Sequence, residues 1–569
     1  MSKFDYYLPQ WISTRVYKTK NETRAVISNE LDREFIELDG NSSVLWDCIL
    51  KNEEGFNSEL ISNSIGKPFE EVNQFLEELL KINLIGIKNA KNKAIIANNS
   101  TKRPNINTSD RYTAGNYNEP SPGGTNLEAE YNLMDWCIEN GFLYANSWEL
   151  TYRCNERCVH CFNPGASHVE GDKTFRKVKE LSLEKIKETL DDLKKIGVFR
   201  LLITGGEIFL RKDFFEIVEY IRKLRFSFTI FTNGTLMKEK DIEKIKDLYP
   251  QRIELSLYSH DPEIHDAITR LKGSWEKTIN IAKYIKLQNI HVVLKTIVMG
   301  NTVNDVQKFE NFCNELDIES SVDFNMSPGV DGSLFPVENL LPKAKDLILQ
   351  CYSETSPLHV GRLNKPKKFD PKKLHGESVC GAGKSLMNIT AEGNISPCNS
   401  LPLEVGNLNN IKMSEVWKNS SIGKKINKPE YNKEKSETGN ESERLSSWQG
   451  VVRGVYDVCG NFERCGWCQK CPGMAYLETG SELKPSTTNC RNAAARMIAY
   501  DLLEEKKNIK KILKEFNEDE LKNKYQPEIA LWDPIISIEQ NKERNQKEII
   551  RKRTKSTALE KLMETEGLI

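Results

Sequence analysis

The most regular pattern of apolar and polar positions lies between about residues 145 and 345. Short apolar runs there, such as RLLITG, SFTIFTN and HVVLKTIVM, are separated by segments with helical spacing. In LSLEKIKETLDDLKKIG, apolar residues recur every three or four positions between a predicted N-cap at Ser182 and a stop at Gly197. Six strands with intervening helices predict an α/β fold with a parallel sheet, either open or rolled into a partial barrel.

The first 98 residues show a different order of elements. The runs RAVISN and EFIELDG are typical of strands, and three segments of helical spacing follow them: SSVLWDCIL, SELISNSIG and PFEEVNQFLEELLKINLIGI. Strands followed by three short helices predict a winged helix. This segment carries 15 acidic and 12 basic residues, whereas a DNA-binding unit should be basic. A peptide-binding role therefore fits it better.

The rest of the chain divides by composition. A polar stretch rich in Pro, Gly and Asn predicts a linker, and a later region punctuated by Cys, Gly and Pro is too poor in apolar residues to build a large core. Charged segments of helical spacing follow that region. The predicted units are an N-terminal domain (1–98), a flexible linker (99–140), an α/β core (141–345), a Cys-rich domain (346–500) and a charged helical extension (501–569).

Charge and hydropathy exclude several classes of partner. The chain has 81 basic and 82 acidic residues, so it offers no general field for nucleic acid or anionic lipid. It has no apolar run of about 18 residues, and its start lacks the apolar core of a secretory signal. We expect a cytoplasmic protein that binds neither nucleic acid nor membranes. Its 14 cysteines, mostly clustered, then indicate metal binding rather than disulfides.

The stretch TYRCNERCVHC holds three thiols with no fourth nearby, at Cys154, Cys158 and Cys161. Structural zinc sites and ordinary ferredoxin clusters use four protein ligands, so three thiols indicate a metal centre with one open position. A zinc site completed by His160 or His168 is the alternative. TGGE and TNGT follow the second and third predicted strands, at the same carboxyl edge of the sheet as the three thiols.

The C-x3-C-x2-C spacing resembles the radical S-adenosylmethionine (SAM) enzymes. The resemblance implies a partial (β/α)6 barrel and a [4Fe–4S] cluster whose open iron binds SAM and cleaves it to a 5′-deoxyadenosyl radical. It implies no side-chain acid or base, because the radical itself abstracts hydrogen. The SAM contacts that it implies are His160, Gly205, Gly206, Glu207, Asn233 and Ser256.

Seven further cysteines lie between residues 380 and 490, and their region resembles the SPASM extension of radical SAM enzymes. The resemblance implies two auxiliary [4Fe–4S] clusters, hence three clusters in the chain. The first takes Cys380, Cys398 and Cys471; the second takes Cys459, Cys468 and Cys490, with Cys465 in place of the thiol that the family pattern would put at Phe462. Two structural zinc sites are the alternative.

The motifs ELTYRCNERCVHC, ITGGEIF and TNGTLM resemble those of subtilosin-type sactipeptide maturases, and the N-terminal unit resembles their PqqD-like recognition element. This implies that the unit binds the leader of a ribosomally made precursor peptide, and that the enzyme forms a thioether from a Cys sulfur to carbon. An electron donor such as flavodoxin or ferredoxin is also implied. The alternatives are C–C or C–O crosslinking, epimerisation, backbone excision, a sulfatase-type maturase, and a non-catalytic zinc-binding winged-helix regulator.

Overall fold

A computed structural model describes most of the three regions that carry the motifs. None of the helices within the described residues is long and apolar enough to cross a membrane. The charged extension predicted beyond residue 501 lies outside the described part of the chain, apart from the end of one helix. The described residues are 6–87, 127–163, 178–331, 333–362, 381–420, 463–468, 471–480 and 485–505.

The N-terminal unit combines two small antiparallel sheets with three helices packed around Trp46, Ile49 and Val72, all fully buried. Both predicted strands and all three predicted helices are present. Sequence analysis missed the strand from Ile12 to Lys18, because polar as well as apolar residues of this strand are buried. The strands are β1 (Tyr6–Tyr7), β2 (Ile12–Lys18), β3 (Thr23–Asn29), β4 (Glu34–Leu38) and β5 (Gly86–Ile87), ordered β1-β5 and β2-β3-β4; the helices are α1 (Gly40–Lys51), α2 (Ser58–Ile65) and α3 (Phe69–Lys81).

Three arginines attach this unit to the α/β core. Arg15 on β2 donates to the Val198 and Leu224 carbonyls at 2.5 and 2.9 Å. Arg222 and Arg225, from the core, donate to the Ile12 carbonyl at 2.6 and 3.1 Å. All three side chains are buried, and these hydrogen bonds offset the cost of taking the three charged groups out of water. The N-terminal unit is therefore docked, not merely tethered.

Part of the segment expected to be a linker is helical. Helix α4 (Leu127–Asn140) occupies its last 14 residues. Leu133, Trp136 and Cys137 pack in a buried cluster that also contains Tyr17 from the N-terminal unit. The prediction of a flexible linker over 99–140 therefore fails for 127–140, because this stretch buries apolar side chains between two units. Residues 99–126 lie outside the described part of the chain.

The core is built on a nine-stranded, mostly parallel sheet, in agreement with the predicted α/β class. Its strand order is β11-β10-β9-β8-β7-β6-β12-β13-β14, and the first six strands are parallel and sequential. The six strands are β6 (Ala145–Glu149), β7 (Arg200–Thr204), β8 (Ser227–Thr232), β9 (Arg252–Ser256), β10 (Val292–Ile297) and β11 (Glu319–Asp323). Their connecting helices are α5 (Leu183–Lys195), α6 (Phe214–Lys223), α7 (Glu239–Lys246), α8 (Pro262–Thr269), α9 (Ser274–Leu287) and α10 (Val306–Glu315). All but α8 were predicted.

The Cys-rich region begins inside this sheet rather than as a separate layer. Strands β12 (Leu386–Ile389), β13 (Asn394–Ser396) and β14 (Gly406–Asn407) extend the sheet, and β12 pairs in parallel with β6. The predicted boundary at residue 345 thus separates two stretches of chain that share one hydrogen-bonded sheet. Periodicity could not show this, because β12 contributes only four residues and pairs with a strand 241 positions earlier.

The remaining helices form a second, smaller core. Helix α12 (Ala344–Tyr352) packs on helix α15 (Thr487–Glu504) through Leu347, Ile348 and Ile498. The sequence-based expectation that the Cys-rich region lacks a large apolar core agrees with this modest cluster. The other helices are α11 (Phe335–Asn339), α13 (Met413–Asn419) and α14 (Pro472–Thr479), with short 3-10 turns at Ile208–Leu210, Val303–Asp305, Val360–Arg362 and Glu463–Trp467.

Candidate functional site

The three predicted cysteine ligands lie in the loop that follows β6, at the carboxyl edge of the sheet. Two main-chain hydrogen bonds fasten this loop to the end of α8: the Arg157 amide donates to the Thr269 carbonyl and the Val159 amide to the Ile268 carbonyl, both at 3.0 Å. Sequence analysis missed α8 because the connection between β9 and β10 holds two helices. The missed helix therefore supports the loop that carries the motif.

Gly205 and Gly206 follow β7 and lie directly against this loop. A Cβ atom added to Gly205 would lie 2.3 Å from the Thr151 carbonyl oxygen, and one added to Gly206 would lie 2.3 Å from that of Arg153. The Gly206 amide donates to the Thr151 carbonyl at 2.7 Å. Gly205 also has a φ of +142°, which L side chains rarely adopt. The two glycines thus permit a close approach of backbones that any side chain would prevent.

Glu207 is fully buried and binds protein groups. Its carboxylate accepts from the Thr232 hydroxyl at 2.7 and 2.8 Å, from the Asn233 amide at 2.9 Å and from the Phe209 amide at 3.0 Å. Both oxygens of the carboxylate therefore accept hydrogen bonds from protein donors. Glu207 therefore ties the end of β7 to the end of β8. Any contact with the ammonium group of SAM would have to compete with these three donors, since the Thr232 hydroxyl shares one proton between the two oxygens.

Asn233 follows β8 and reaches the cysteine loop. Its Nδ2 donates to Asn155 Oδ1 at 3.0 Å and lies 3.9 Å from Cys154 Sγ. Asn155 in turn donates to the Thr235 hydroxyl at 2.7 Å. Sequence analysis did not single out Asn155, although its position directly after Cys154 was a usable signal. The network holds the first cysteine against the end of β8.

The rings of His160, Tyr258 and His265 lie in contact, one after another. Its ring lies edge-on to Tyr258 at 4.3 Å between centroids, and Tyr258 stacks on His265 at 5.7 Å. The Tyr258 amide donates to His265 Nδ1 at 3.1 Å, so this ring nitrogen carries no proton. Ser256, at the end of β9, has a side-chain hydrogen bond with Tyr258. Tyr258 thus contacts the ring of His160 and lies two residues after Ser256 at the end of β9.

Acidic groups dominate the electrostatics of this loop. Burial raises the pKa of the Cys154, Cys158 and Cys161 thiols and of the Glu207 carboxyl, and it raises the pKa of Glu156 to about 8. Buried groups that would become anionic are stabilised by a cationic ligand. The positively charged iron–sulfur core would partly offset the thiolates that bind it, and the sulfonium and ammonium groups of SAM would offset the nearby carboxylates, so the residues present fit these cofactors.

Single-ion metal sites were a sequence-based alternative at both cysteine groups. Within the described ranges, no group of three or more His, Cys, Asp or Glu side chains is placed to hold one metal ion. His168, a predicted partner for a zinc ion, lies outside those ranges.

Five of the seven predicted auxiliary cysteines lie within the described residues. Cys471 is the N-cap of α14 and its sulfur accepts from the Met474 amide at 3.5 Å, while Cys490 lies in the first turn of α15. The Cys468 amide donates to the Cys465 carbonyl at 3.4 Å. Cys398 follows β13. Cys380, Cys459 and Phe462 lie outside the described residues.

A chain of buried polar groups joins the two cysteine regions. The Tyr152 hydroxyl donates to Glu149 at 3.1 Å, and Asn388 on β12 donates to the same carboxylate at 3.4 Å. Asn388 also donates to Ser396, whose hydroxyl donates to the Cys398 carbonyl at 3.1 Å. Burial raises the pKa of Glu149 to about 7. The network spans β6, β12 and β13 and so connects the loop after β6 with the first described auxiliary cysteine.

Comparison with known families and proteins assigns both regions. Residues 148–316 match the radical SAM superfamily, and residues 380–472 match the SPASM iron–sulfur cluster-binding domain. The structure of Streptococcus suis SuiB bound to its precursor peptide SuiA is 16% identical, with a TM-score of 0.48 over 84% of this chain and 98% of that one. At that TM-score the structural similarity does not support a function for this chain.

Three curated relatives each match part of this chain. The AdoMet-dependent heme synthase of Methanosarcina barkeri is 25% identical over 59% of this chain and 93% of its own length. The antilisterial bacteriocin subtilosin biosynthesis protein AlbA of Bacillus subtilis is 36% identical, over 27% of this chain and 32% of its own length. The mycofactocin maturase MftC of Mycobacterium tuberculosis is 25% identical over 50% of this chain and 72% of its own length.

The substitution Gly206→Ala tests the close approach at the cysteine loop. Because the added methyl would lie 2.3 Å from the Arg153 carbonyl, we expect the loop to shift and the purified, reconstituted protein to lose about four iron atoms per chain. Iron and sulfide analysis measures this. Gly300→Ala is the matched control, since Gly300, like Gly206, has no positive φ, and a Cβ atom added there would lie no closer than 3.2 Å to its nearest neighbour. Full iron content and SAM cleavage in the Gly206 variant would contradict the packing argument.

The matched domains account for both cysteine groups. The first lies in the radical SAM match and the second extends from the SPASM match to Cys490. Such domains bind iron–sulfur clusters and SAM, and their residues lie on one continuous sheet here. The chain is thus an enzyme that carries a radical SAM domain followed by a SPASM domain.

Proposed function

We propose that this enzyme modifies a ribosomally made precursor peptide and forms a thioether from a Cys sulfur to carbon. The observation that carries the proposal is the shared sheet, in which the loop of Cys154 and the strand before Cys398 belong to one body through β6 and β12. A thioether-forming reaction needs a site that generates a carbon radical and a nearby group that accepts an electron. The higher identity to the subtilosin protein, 36%, supports a peptide substrate.

Each residue of the first site has a positioning role in this proposal. Cys154, Cys158 and Cys161 hold the SAM-binding cluster, and the bound cofactors supply a radical that abstracts hydrogen from the substrate. Gly205 and Gly206 let the backbone of β7 approach the cysteine loop. The contact candidates for SAM remain these glycines with Glu207, Asn233, Ser256 and His160. No side-chain acid or base is required, since the protein orients and the cofactors react.

Two auxiliary clusters complete the proposed set of three. The first takes Cys380, Cys398 and Cys471, and the second takes Cys459, Cys465, Cys468 and Cys490. An external donor such as flavodoxin or ferredoxin supplies electrons to the SAM-binding cluster. Once bound by these cysteines, an auxiliary cluster would supply an acceptor for the electron released when the thioether forms.

The N-terminal unit is proposed to be a winged-helix element that binds the leader by adding a strand to its sheet. Its β2-β3-β4 sheet has two edges. The edge at β2 faces the core, because the Thr14 amide donates to the Arg225 carbonyl at 3.0 Å and the Ser13 hydroxyl to the Phe226 carbonyl at 3.0 Å. Strand β4 is therefore the edge at which we place the leader.

A small-molecule substrate is the second candidate, because the heme synthase matches over 93% of its own length. That match covers 59% of this chain, so a large part of the chain lies outside it. A small molecule would need no leader-binding unit. The two candidates are therefore distinguished by whether the N-terminal unit binds peptide.

Replacing Cys154, Cys158 and Cys161 together by Ala should abolish SAM cleavage, because the three thiols are the proposed ligands of the SAM-binding cluster. The auxiliary clusters should persist, since their ligands come from other elements. Chromatography of 5′-deoxyadenosine after anaerobic reduction measures the loss. A triple Ala variant at the buried Cys48, Cys137 and Cys313 is the matched control. If the motif variant still yields 5′-deoxyadenosine, the assignment of the radical site fails.

Hydrogen–deuterium exchange tests the leader site without altering the enzyme. Adding a leader-bearing precursor peptide should slow exchange at the amides of β4, Glu34–Leu38, because a new strand would bond to them. Exchange in β2, Ile12–Lys18, should stay unchanged, since the core already covers that edge. The same peptide without its leader is the control. Protection of β2, or of neither strand, would overturn the proposed docking mode.

A further inference from the structure

Helix α15 carries two arginines that are almost wholly buried. Arg491 is 2% exposed and Arg496 is 5% exposed. Burial lowers the pKa of Arg491 to about 10, so its guanidinium remains charged near neutral pH. Taking two such charges out of water is costly unless an anion compensates them. The groups around the two arginines therefore indicate which anion this part of the fold binds.

The partners within the described residues do not balance the charge. Arg491 donates to the Pro342 carbonyl, and its buried Nε and Nη1 atoms have no hydrogen-bond partner among the described residues. Arg496 donates to the Trp467 carbonyl at 3.2 Å and its Cζ lies 4.3 Å from the centre of the Phe324 ring. Neither guanidinium forms an ion pair with a carboxylate among the residues that the structure describes. Carbonyl and ring contacts orient the arginines but do not neutralise them.

Two other groups lie within electrostatic range of these arginines. The Cys351 thiol on α12 is 2% exposed, and burial raises its pKa to about 11, so it is neutral near pH 7. Asp323 at the end of β11 interacts with Arg496, but it also accepts hydrogen bonds from the Asn325 amide and side chain at 2.9 and 3.1 Å. Asp323 acts on Arg496 and not on Arg491, so no carboxylate among the described residues compensates the charge of Arg491.

Auxiliary cysteines lie next to both arginines. Arg491 directly follows Cys490 in the first turns of α15. Arg496 bonds to the carbonyl of Trp467, the residue before Cys468, and interacts electrostatically with the Cys468 thiol. A cubane cluster held by thiolates carries net negative charge, and fixed charges nearby shift its reduction potential.

We propose that Arg491, next to Cys490 in the chain, and Arg496, beside Cys468, supply positive charge near the auxiliary cluster held by these two cysteines, and that this charge raises its reduction potential so that it accepts an electron. The arginines are positioning residues, because they act through the cluster and not on the substrate. This inference rests on the proposed function, in which an auxiliary cluster takes the electron released on thioether formation. It adds the residues of the protein that make that transfer favourable.

The test is an anaerobic redox titration of the reconstituted full-length enzyme, followed by electron paramagnetic resonance. The SAM-binding cluster is recognised by the response of its signal to added SAM. Arg496→Gln removes the charge, and we expect at least a tenfold fall in the ratio of reduced to oxidised auxiliary cluster at a fixed potential, which corresponds to about 59 mV for one electron. Arg491→Gln should shift the ratio in the same direction.

Two further variants separate charge from structure. Arg496→Lys keeps the charge and should retain most of the wild-type ratio. Arg222→Gln removes a buried arginine at the N-terminal interface, 3% exposed, and should leave the ratio unchanged. Equal ratios in wild type and both Gln variants, with clusters intact by iron and sulfide analysis, would overturn the inference alone. A wild-type enzyme without any auxiliary cluster would overturn both the inference and the proposed function.

Discussion

The parallel pairing of β6 with β12 is the interaction on which the rest of the structure depends. On its other side β6 pairs with β7, so one strand joins the radical SAM sheet to the SPASM region by main-chain hydrogen bonds on both edges. Such ladders are rigid, since each bond fixes the register of its neighbours. Because Cys154 follows β6 and Cys398 follows β13, the two cysteine regions keep a fixed distance and orientation. Electron transfer between clusters and a single substrate depends on such a fixed relation.

The two cysteine regions have opposite electrostatics. Buried carboxyl groups and thiols surround the loop of Cys154, where Glu156 has a pKa of about 8. Buried arginines flank Cys468 and Cys490 on α15. An environment of acids favours cationic SAM, and one of cations favours an electron-rich cluster. These environments agree with the proposed function, in which the first region binds SAM and the second receives an electron.

Much of this could be predicted from the sequence. The six parallel strands, five of their helices and the positions of the Gly-Gly-Glu and Asn motifs followed from periodicity and from the order of motifs, because such signals are local. The pairing of β12 with β6 did not, since short strands far apart in sequence leave no periodic signal. Helix α4 was mistaken for linker because it directly follows the polar stretch, and the N-terminal residues that bury Leu133 and Trp136 are far away in the sequence. The role of Glu207 as a link to Thr232 also depends on contacts between strands that a single sequence does not reveal.

The docked N-terminal unit also has a fixed position relative to the radical SAM domain. Arg15, Arg222 and Arg225 make the N-terminal unit and the radical SAM domain one body, so a leader bound at β4, as proposed, would deliver its core peptide from a fixed starting point. Modification of one site among several in a peptide requires such a fixed distance.

The proposed function requires three clusters on one chain that also carries the leader-binding unit. A Mössbauer spectrum of the full-length enzyme, reconstituted anaerobically with ⁵⁷Fe, tests this most directly. The account predicts [4Fe–4S] signals only, with about 12 iron atoms per chain. A spectrum with about four iron atoms per chain, or a protein that retains zinc at Cys465, Cys468 and Cys490, would contradict it.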